Sequence, residues 1–127
     1  MKLGEIQRTY IELGKTLEKK LPMKVGFIIN RNLKKMQPII DDLNKARNDA
    51  VDKYGERDAD GNLIVDENGG IKIPDAVAFT ESMEEVLDAD IEIKFDKFSM
   101  EDLEKCELDG YDKLTVAEQG ALEYMIS

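Results

Sequence analysis

Acidic side chains recur at alternate positions in the segment ERDADGNLIVDE, as calcium ligands would. An EF-hand loop places oxygen ligands at alternate positions, a glycine at position 6 and a closing glutamate at position 12. Counted from Glu56, the segment has Asp58 and Asp60 at positions 3 and 5. Gly61 stands at position 6 and Glu67 at position 12. Residues 56–67 are therefore a partial match to a calcium-binding loop.

Two features of this segment favour a turn instead. Glu56 stands at position 1, where the shorter aspartate is the usual ligand. The following residues, VDENGGIKIP, cannot form the exiting helix, because Asn68-Gly69 is a strong two-residue hairpin turn. We therefore predict a β-hairpin whose aspartates hydrogen-bond to their own backbone near Gly61, and no metal site. Calcium binding is the alternative.

Other catalytic chemistry has few residues to draw on. The chain has no histidine, which removes the Ser-His, Cys-His and His-metal arrangements of most hydrolases and zinc sites. The single cysteine, Cys106, lies beside Lys105 but has no base, so we expect a structural, part-buried residue. No spacing singles out a carboxylate pair for acid–base catalysis. We predict no catalytic residue, no cofactor and no enzymatic activity; a carboxylate-metal enzyme acting on phosphate esters is the weakest alternative.

Charge is distributed unevenly along the 127 residues, whose net charge is −10. Residues 1–55 hold 12 Lys or Arg against 7 Asp or Glu, whereas residues 56–127 hold 6 against 21. This balance argues against nucleic-acid binding, because phosphate contacts reward positive charge. It favours attraction of a basic protein partner, unless the acidic face serves only solubility. The predicted partner-binding residues are Glu84, Glu85, Asp88, Asp90, Glu92, Asp96, Glu101, Asp102 and Glu104.

Apolar periodicity predicts two N-terminal helices. Apolar residues at steps of three and four, ending with Leu17, predict an amphipathic helix over residues 3–21. A longer helix, whose apolar stripe includes Phe27, is predicted from Met23 to Tyr54, with Pro38 producing a kink near Lys34 or else a break. Gly55 is the expected C-terminal cap. The short proline-containing link before Met23 predicts an antiparallel helical hairpin.

The second half of the sequence predicts short strands and short helices. Strands are expected at residues 62–67 and 70–73, and a helix at residues 75–88, with Val77 among its inward-facing residues. DIEIKFD, residues 90–96, alternates strictly between apolar and polar residues, as a strand would.

Two capping boxes then predict helix starts. Ser99 with Asp102 opens a short helix, and Thr115 with Glu118 opens the last one. No internal repeat is apparent. The fold class expected is α+β in one domain, residues 1–127: a helical hairpin (1–55) with a long kinked second helix, then an acidic part (56–127) with a small antiparallel sheet and short C-terminal helices. No run of about 18 apolar residues and no secretory signal is present, so no membrane contact is expected.

The order of segments resembles a known group of proteins. These segments are LP-x-K-V from Leu21, the stretch ARNDAVDKYGERDADGN, the VLD that ends at Asp88, IEIKF and ALEYMI. Over nearly the whole chain they resemble a family of uncharacterised small proteins encoded by tailed phages and prophages of Gram-positive bacteria. That resemblance implies a phage gene product in the host cytoplasm or in a particle, and it brings no catalytic residues.

The function expected is therefore that of a non-catalytic viral protein that binds another protein. A host-takeover or anti-defence inhibitor that occludes a basic surface of a host or phage protein is its most concrete form. The alternative is a phage assembly protein, oligomeric through its N-terminal helices.

Overall fold

Helices make up about 60% of the chain in the computed structural model, which describes residues 1–127. The five α-helices are α1 (Leu3–Thr16), α2 (Met23–Tyr54), α3 (Ala76–Leu87), α4 (Met100–Glu104) and α5 (Val116–Leu122). Short 3₁₀ helices follow α4 and α5. The remaining backbone pairs only in isolated β-bridges. The fold is therefore all-α, and the predicted α+β class with an antiparallel sheet is wrong. None of the helices is both long and apolar enough to span a membrane.

The chain forms two structural units. Unit 1 comprises Met1–Ile39 and Asp90–Ser127, and unit 2 comprises Ile40–Ala89. Helix α2 begins and ends where the sequence predicted and continues without interruption through Pro38, so the alternative of a break is wrong. The boundary between the units falls within this helix.

Unit 1 has its core between α1, α2 and α5. Leu3, Ile6 and Leu13 of α1 are buried, and α1 packs against α5, where Leu122 is fully enclosed. From α2 the core receives Val25, Ile28, Ile29, Leu33 and Met36.

The contacts between α1 and α2 show their relative direction. The Tyr10 hydroxyl donates to Gln37 Oε1 at 2.5 Å, whereas Thr16, further along α1, lines a pocket with Gly26, nearer the start of α2. The two helices are therefore antiparallel. Helix α1 ends at Thr16, where the Thr16 hydroxyl donates to the Leu13 carbonyl, and not at residue 21 as expected.

The segment Asp90–Phe98 is extended but pairs with no strand. The burial of its side chains alternates as the sequence predicted, since Phe95 is buried and Glu92 and Lys94 are exposed. The partner of its backbone is a side chain, because the fully buried Asn32 amide donates to the Asp96 carbonyl at 3.0 Å and accepts from the Asp96 N–H at 2.8 Å. The predicted strand at 90–96 is wrong because α2, and not a second strand, satisfies these groups.

Both ends of the chain bind the same segment. Met1 exchanges backbone hydrogen bonds with Ile91, at 2.8 and 3.3 Å. At the other end, the Phe98 N–H donates to the Met125 carbonyl and the Ser127 N–H to the Phe98 carbonyl, both at 2.9 Å. Each contact is a single bridge and extends into no ladder.

In unit 2 an eight-residue pattern occurs twice, DADGNLIV and then DENGGIKI. Asp58 Oδ1 accepts from the backbone N–H groups two and four residues later, and Asp66 Oδ1 does the same. Gly61 and Gly69 occupy the same place in each loop, with φ of 83° and 82°, a region that glycine tolerates. The expectation of no internal repeat is therefore wrong, while the aspartates do bond to their own loop.

A closed ring of three backbone hydrogen bonds joins residues spaced by eight. Glu56 donates to Lys72, Lys72 to Ile64 and Ile64 to Glu56, at 2.8–2.9 Å. Because the ring closes on itself, these groups cannot continue into a ladder, and only two isolated bridges, Arg57 to Leu63 and Val65 to Ile71, form beside it. The predicted hairpin strands at 62–67 and 70–73 are wrong for this reason, although the chain does turn at Asn68-Gly69.

Helix α3 agrees with its predicted place but not with its predicted burial. Asp75 caps its N-terminus, yet none of its residues is buried, and Val77, expected to face inward, is exposed. The Tyr54 ring meets Phe79 edge-on, and its hydroxyl lies 3.0 Å from the Ser82 hydroxyl. Both predicted capping boxes, at the starts of α4 and α5, are confirmed.

Replacement of Asn32 by alanine should destabilise the protein by about 2 to 3 kcal/mol, because two backbone groups of Asp96 lose their partners. Asn30→Ala, an exposed change in the same helix, is the control and should alter the unfolding free energy by less than about 0.5 kcal/mol. Urea denaturation measures both. Equal losses from the two variants would show that Asn32 does not hold the extended segment.

Gly55→Ala should destabilise unit 2 by about 1 to 3 kcal/mol, because an added Cβ would lie 2.6 Å from both Leu63 Cδ2 and the Val51 carbonyl oxygen. Gly14→Ala, whose added Cβ meets nothing within 4 Å, should instead stabilise α1 by up to about 1 kcal/mol. Thermal unfolding followed by circular dichroism compares the two. A stabilising Gly55→Ala would contradict the close approach described for unit 2.

Candidate protein-binding surface

The nine predicted partner-binding residues are divided between the two units. Glu84 and Glu85 lie on α3 and Asp88 directly after it, all three in unit 2, whereas the other six belong to unit 1. All are exposed except Asp96 and Asp102. Asp90 lies 3.8 Å from Lys2, a long contact in a solvated place.

Asp96 is occupied by the helix beside it. Arg31 Nε donates to one carboxylate oxygen, and Lys35 Nζ lies 2.8 Å from the other. These bonds, first that of Arg31 and then that of Lys35, hold the pKa of Asp96 below its ordinary value. This carboxylate fastens the extended segment to α2, so its charge is not available to a partner.

Asp102, like Asp96, is a structural residue, but it acts through a helix cap. Its side chain completes the capping box with Ser99 and is only 7% exposed, with Lys24 Nζ at 2.9 Å and Lys105 Nζ at 3.9 Å. Lys24 and the Ser99 backbone N–H lower the pKa of Asp102 to about 2. The predicted cap is confirmed, but the same buried position leaves little of this carboxylate exposed for docking.

A cleft in unit 1 brings together residues that the sequence analysis did not connect. It lies between α4 with its following 3₁₀ turn and the C-terminal part of the chain, and it encloses about 600 Å³. The lining residues are Met100, Leu103, Glu104, Cys106, Glu107, Lys113, Leu114, Gln119, Glu123 and Ile126. Of the predicted surface, only Glu104 is among them.

The cleft combines an apolar lining with an acidic rim. Met100, Leu103, Leu114 and Ile126 supply the apolar part. The rim has three exposed carboxylates and one cation, that of Lys113. The carboxylates are those of Glu104, Glu107 and Glu123. A small hydrophobic site with a net negative rim favours a ligand that is itself apolar and basic.

Part of this arrangement has a signal in the sequence. Met100, Leu103, Glu104 and Glu107 recur at helical steps of three and four, which places them on one face. Ile126, on the opposite wall, is distant in sequence and has no local signal.

Lys19 fastens the wall of the cleft to α1. Its ammonium lies 2.6 Å from Glu118 Oε1 and donates to the Lys113 carbonyl at 2.8 Å. Burial raises the pKa of Glu118, but the bonds from Lys19 and Thr115 outweigh that effect and hold the pKa below its ordinary value. The charged pair therefore fixes the segment that carries Lys113 and Leu114.

The remaining reactive groups are placed for structure. Cys106 is buried at the floor of the cleft, and burial raises the pKa of its thiol, which disfavours the nucleophilic thiolate. In the calcium-like segment the Glu56 carboxylate lies 3.2 Å from Lys72, and Asp58 bonds to its own loop. Nowhere do three or more His, Cys, Asp or Glu side chains come together in a way that could hold a metal ion.

Comparison with known protein families, characterised proteins and solved structures found no match for this chain.

Asp102→Asn should lower stability at neutral pH, and the loss should shrink in acid. Because folding lowers the pKa of Asp102 from 3.8 to about 2, the stabilisation is complete above pH about 4 and disappears as the pH falls through about 2. Thermal unfolding of wild type and variant across this range measures the difference.

Asp109→Asn is the control, since Asp109 is exposed and lies outside the cap. Its difference from wild type should be small at every pH. A deficit in Asp102→Asn that stays constant from neutral pH down to about pH 2 would contradict the role given to Lys24 and Ser99.

Proposed function

We propose that this chain is a non-catalytic protein-binding factor whose acid-rimmed cleft holds a basic amphipathic helix of another protein. The observation that carries the proposal is the apolar cleft of about 600 Å³ rimmed by Glu104, Glu107 and Glu123. Its volume is within the range of about 300–1,000 Å³ in which proteins bind small groups, so it can receive a few side chains of a larger partner.

The chemistry of the rim supports a basic partner. A helix that presents apolar residues at steps of three and four can place them on Leu103 and Leu114. Lysine or arginine on either side of that stripe would then meet the rim carboxylates. The net charge of −10 adds long-range attraction that speeds the encounter.

The biological setting of the proposal comes from the resemblance to phage and prophage proteins. It supports a gene product that acts in the host cytoplasm on a host or phage protein. Occupation of a basic helix would block that helix from its own target, which is how a host-takeover or anti-defence inhibitor without catalytic residues can work. This form of the function replaces the broad acidic surface, since Asp96 and Asp102 are engaged within the chain.

Neutralising the rim should weaken binding. The probe is a synthetic helical peptide of about four turns with leucine on one face and lysine beside it. Added to the protein with labelled methyl groups, it should shift the signals of Met100, Leu103 and Leu114. The triple variant Glu104→Gln, Glu107→Gln, Glu123→Gln should lose about tenfold in affinity, as three solvent-exposed ion pairs predict.

The matched control neutralises three exposed glutamates of α3 by Glu81→Gln, Glu84→Gln and Glu85→Gln. It removes the same net charge from residues that do not line the cleft and should keep nearly all of the affinity. The same peptide with glutamate in place of lysine should not bind. If the two triple variants lose affinity equally, the net charge and not the cleft is responsible, and the proposal fails.

A further inference from the structure

An exposed apolar patch lies where α1 ends and α2 begins in unit 1. Leu17, Met23 and Phe27 are 58%, 90% and 62% exposed, and all three line the same hollow of about 150 Å³. Leu17 and Phe27 are residues that helical periodicity predicted in the core stripes. Three large apolar side chains exposed side by side are unusual for a surface with no partner.

The patch has a protrusion and a recess side by side. Met23 is the most exposed large apolar residue of the chain, and Gly26, one helical turn later, lies on the wall of the hollow. A Cβ added at Gly26 would meet nothing within 4 Å, so the space over this residue is open. A methionine side chain is long and flexible enough to fill such a recess.

Three cations around the patch are neutralised within the chain, and the exposed Lys20 is offset by the exposed Glu18 beside Leu17. Lys19 pairs with Glu118 at 2.6 Å, Lys24 with Asp102 at 2.9 Å, and Arg31 with Asp96. The patch therefore has no strong sign of its own, and neither an acidic nor a basic partner gains much from it. A second copy can be seated there, because a two-fold contact places the patch against a copy of itself and a patch with little net charge is not repelled by its copy. Near-neutrality makes such a contact possible for a chain whose net charge is −10.

We propose that the patch is the contact of a symmetric homodimer, in which Met23 of each copy fills the recess over Gly26 of the other. Protrusion and recess lie on the same surface of each chain, as an isologous contact requires. The area is modest beside the roughly 800 Å² per partner of a standard stable interface. The dimer should therefore dissociate on dilution.

Sedimentation equilibrium at chain concentrations from about 1 μM to about 1 mM tests the proposal. The mass should rise from that of the 14.4 kDa chain towards twice that value. Added salt, from about 0.05 M to about 0.5 M, should strengthen the dimer, because it screens the repulsion between two acidic chains. A mass that stays at 14.4 kDa throughout would overturn the proposal and assign the patch to another occupant.

Two variants test the geometry against matched controls. Met23→Lys should weaken the dimer at least about tenfold, whereas Val116→Lys, a change at a residue that is 86% exposed and does not line the hollow, should not. Gly26→Leu should fill the recess and abolish the dimer, whereas Gly14→Leu, at a helix position with equal free space, should leave it intact. Circular dichroism confirms that each variant is folded. A dimer that survives both Met23→Lys and Gly26→Leu would overturn the proposed contact.

Discussion

The backbone of an extended segment with no neighbouring strand is the constraint on which unit 1 depends. Asp90–Phe98 has no neighbouring strand for its N–H and C=O groups, and three parts of the chain bond to some of them instead. Asn32 and Lys35 of α2 bond to the middle, Met1 to one end and the C-terminal residues to the other. The N-terminus, the long helix and the C-terminus are thereby brought to one place, and the cleft is built beside it.

Ion pairs also join distant parts of the chain within unit 1. Basic residues from the first third of the chain reach acidic residues of the last third, as Lys35 reaches Asp96 and Lys19 reaches Glu118. The uneven charge of the sequence is thus partly balanced inside unit 1. The glutamates at the rim of the cleft, with Glu104 as the one that the sequence analysis had named, take no part in these pairs and give the surface its local sign.

Features that depend on neighbours in sequence were predictable. The capping boxes at Ser99 and Thr115, the bounds of α2 and the alternation of residues 90–96 all follow from side chains within a few positions of one another. The partner of the segment Asp90–Phe98 could not be predicted in this way. A single asparagine that bonds to a distant backbone leaves no recognisable pattern in the sequence. Phe27 shows the limit in helices: periodicity defines a stripe, but the packing of other elements decides which part of it is covered. The cleft was missed because its two walls are distant in sequence.

The division of the chain into a continuous and a discontinuous unit bears on the order in which it can be completed during synthesis. Unit 2, Ile40–Ala89, is one uninterrupted stretch and has all its residues before the segment at Asp90 is made. Unit 1 is made partly before and partly after unit 2, and Asp90–Phe98 gains its backbone bonds to Met125 and Ser127 only when those residues have left the ribosome. The part of the α1 face that α5 covers must therefore wait with its apolar side chains exposed. During translation these side chains are open to non-native contacts.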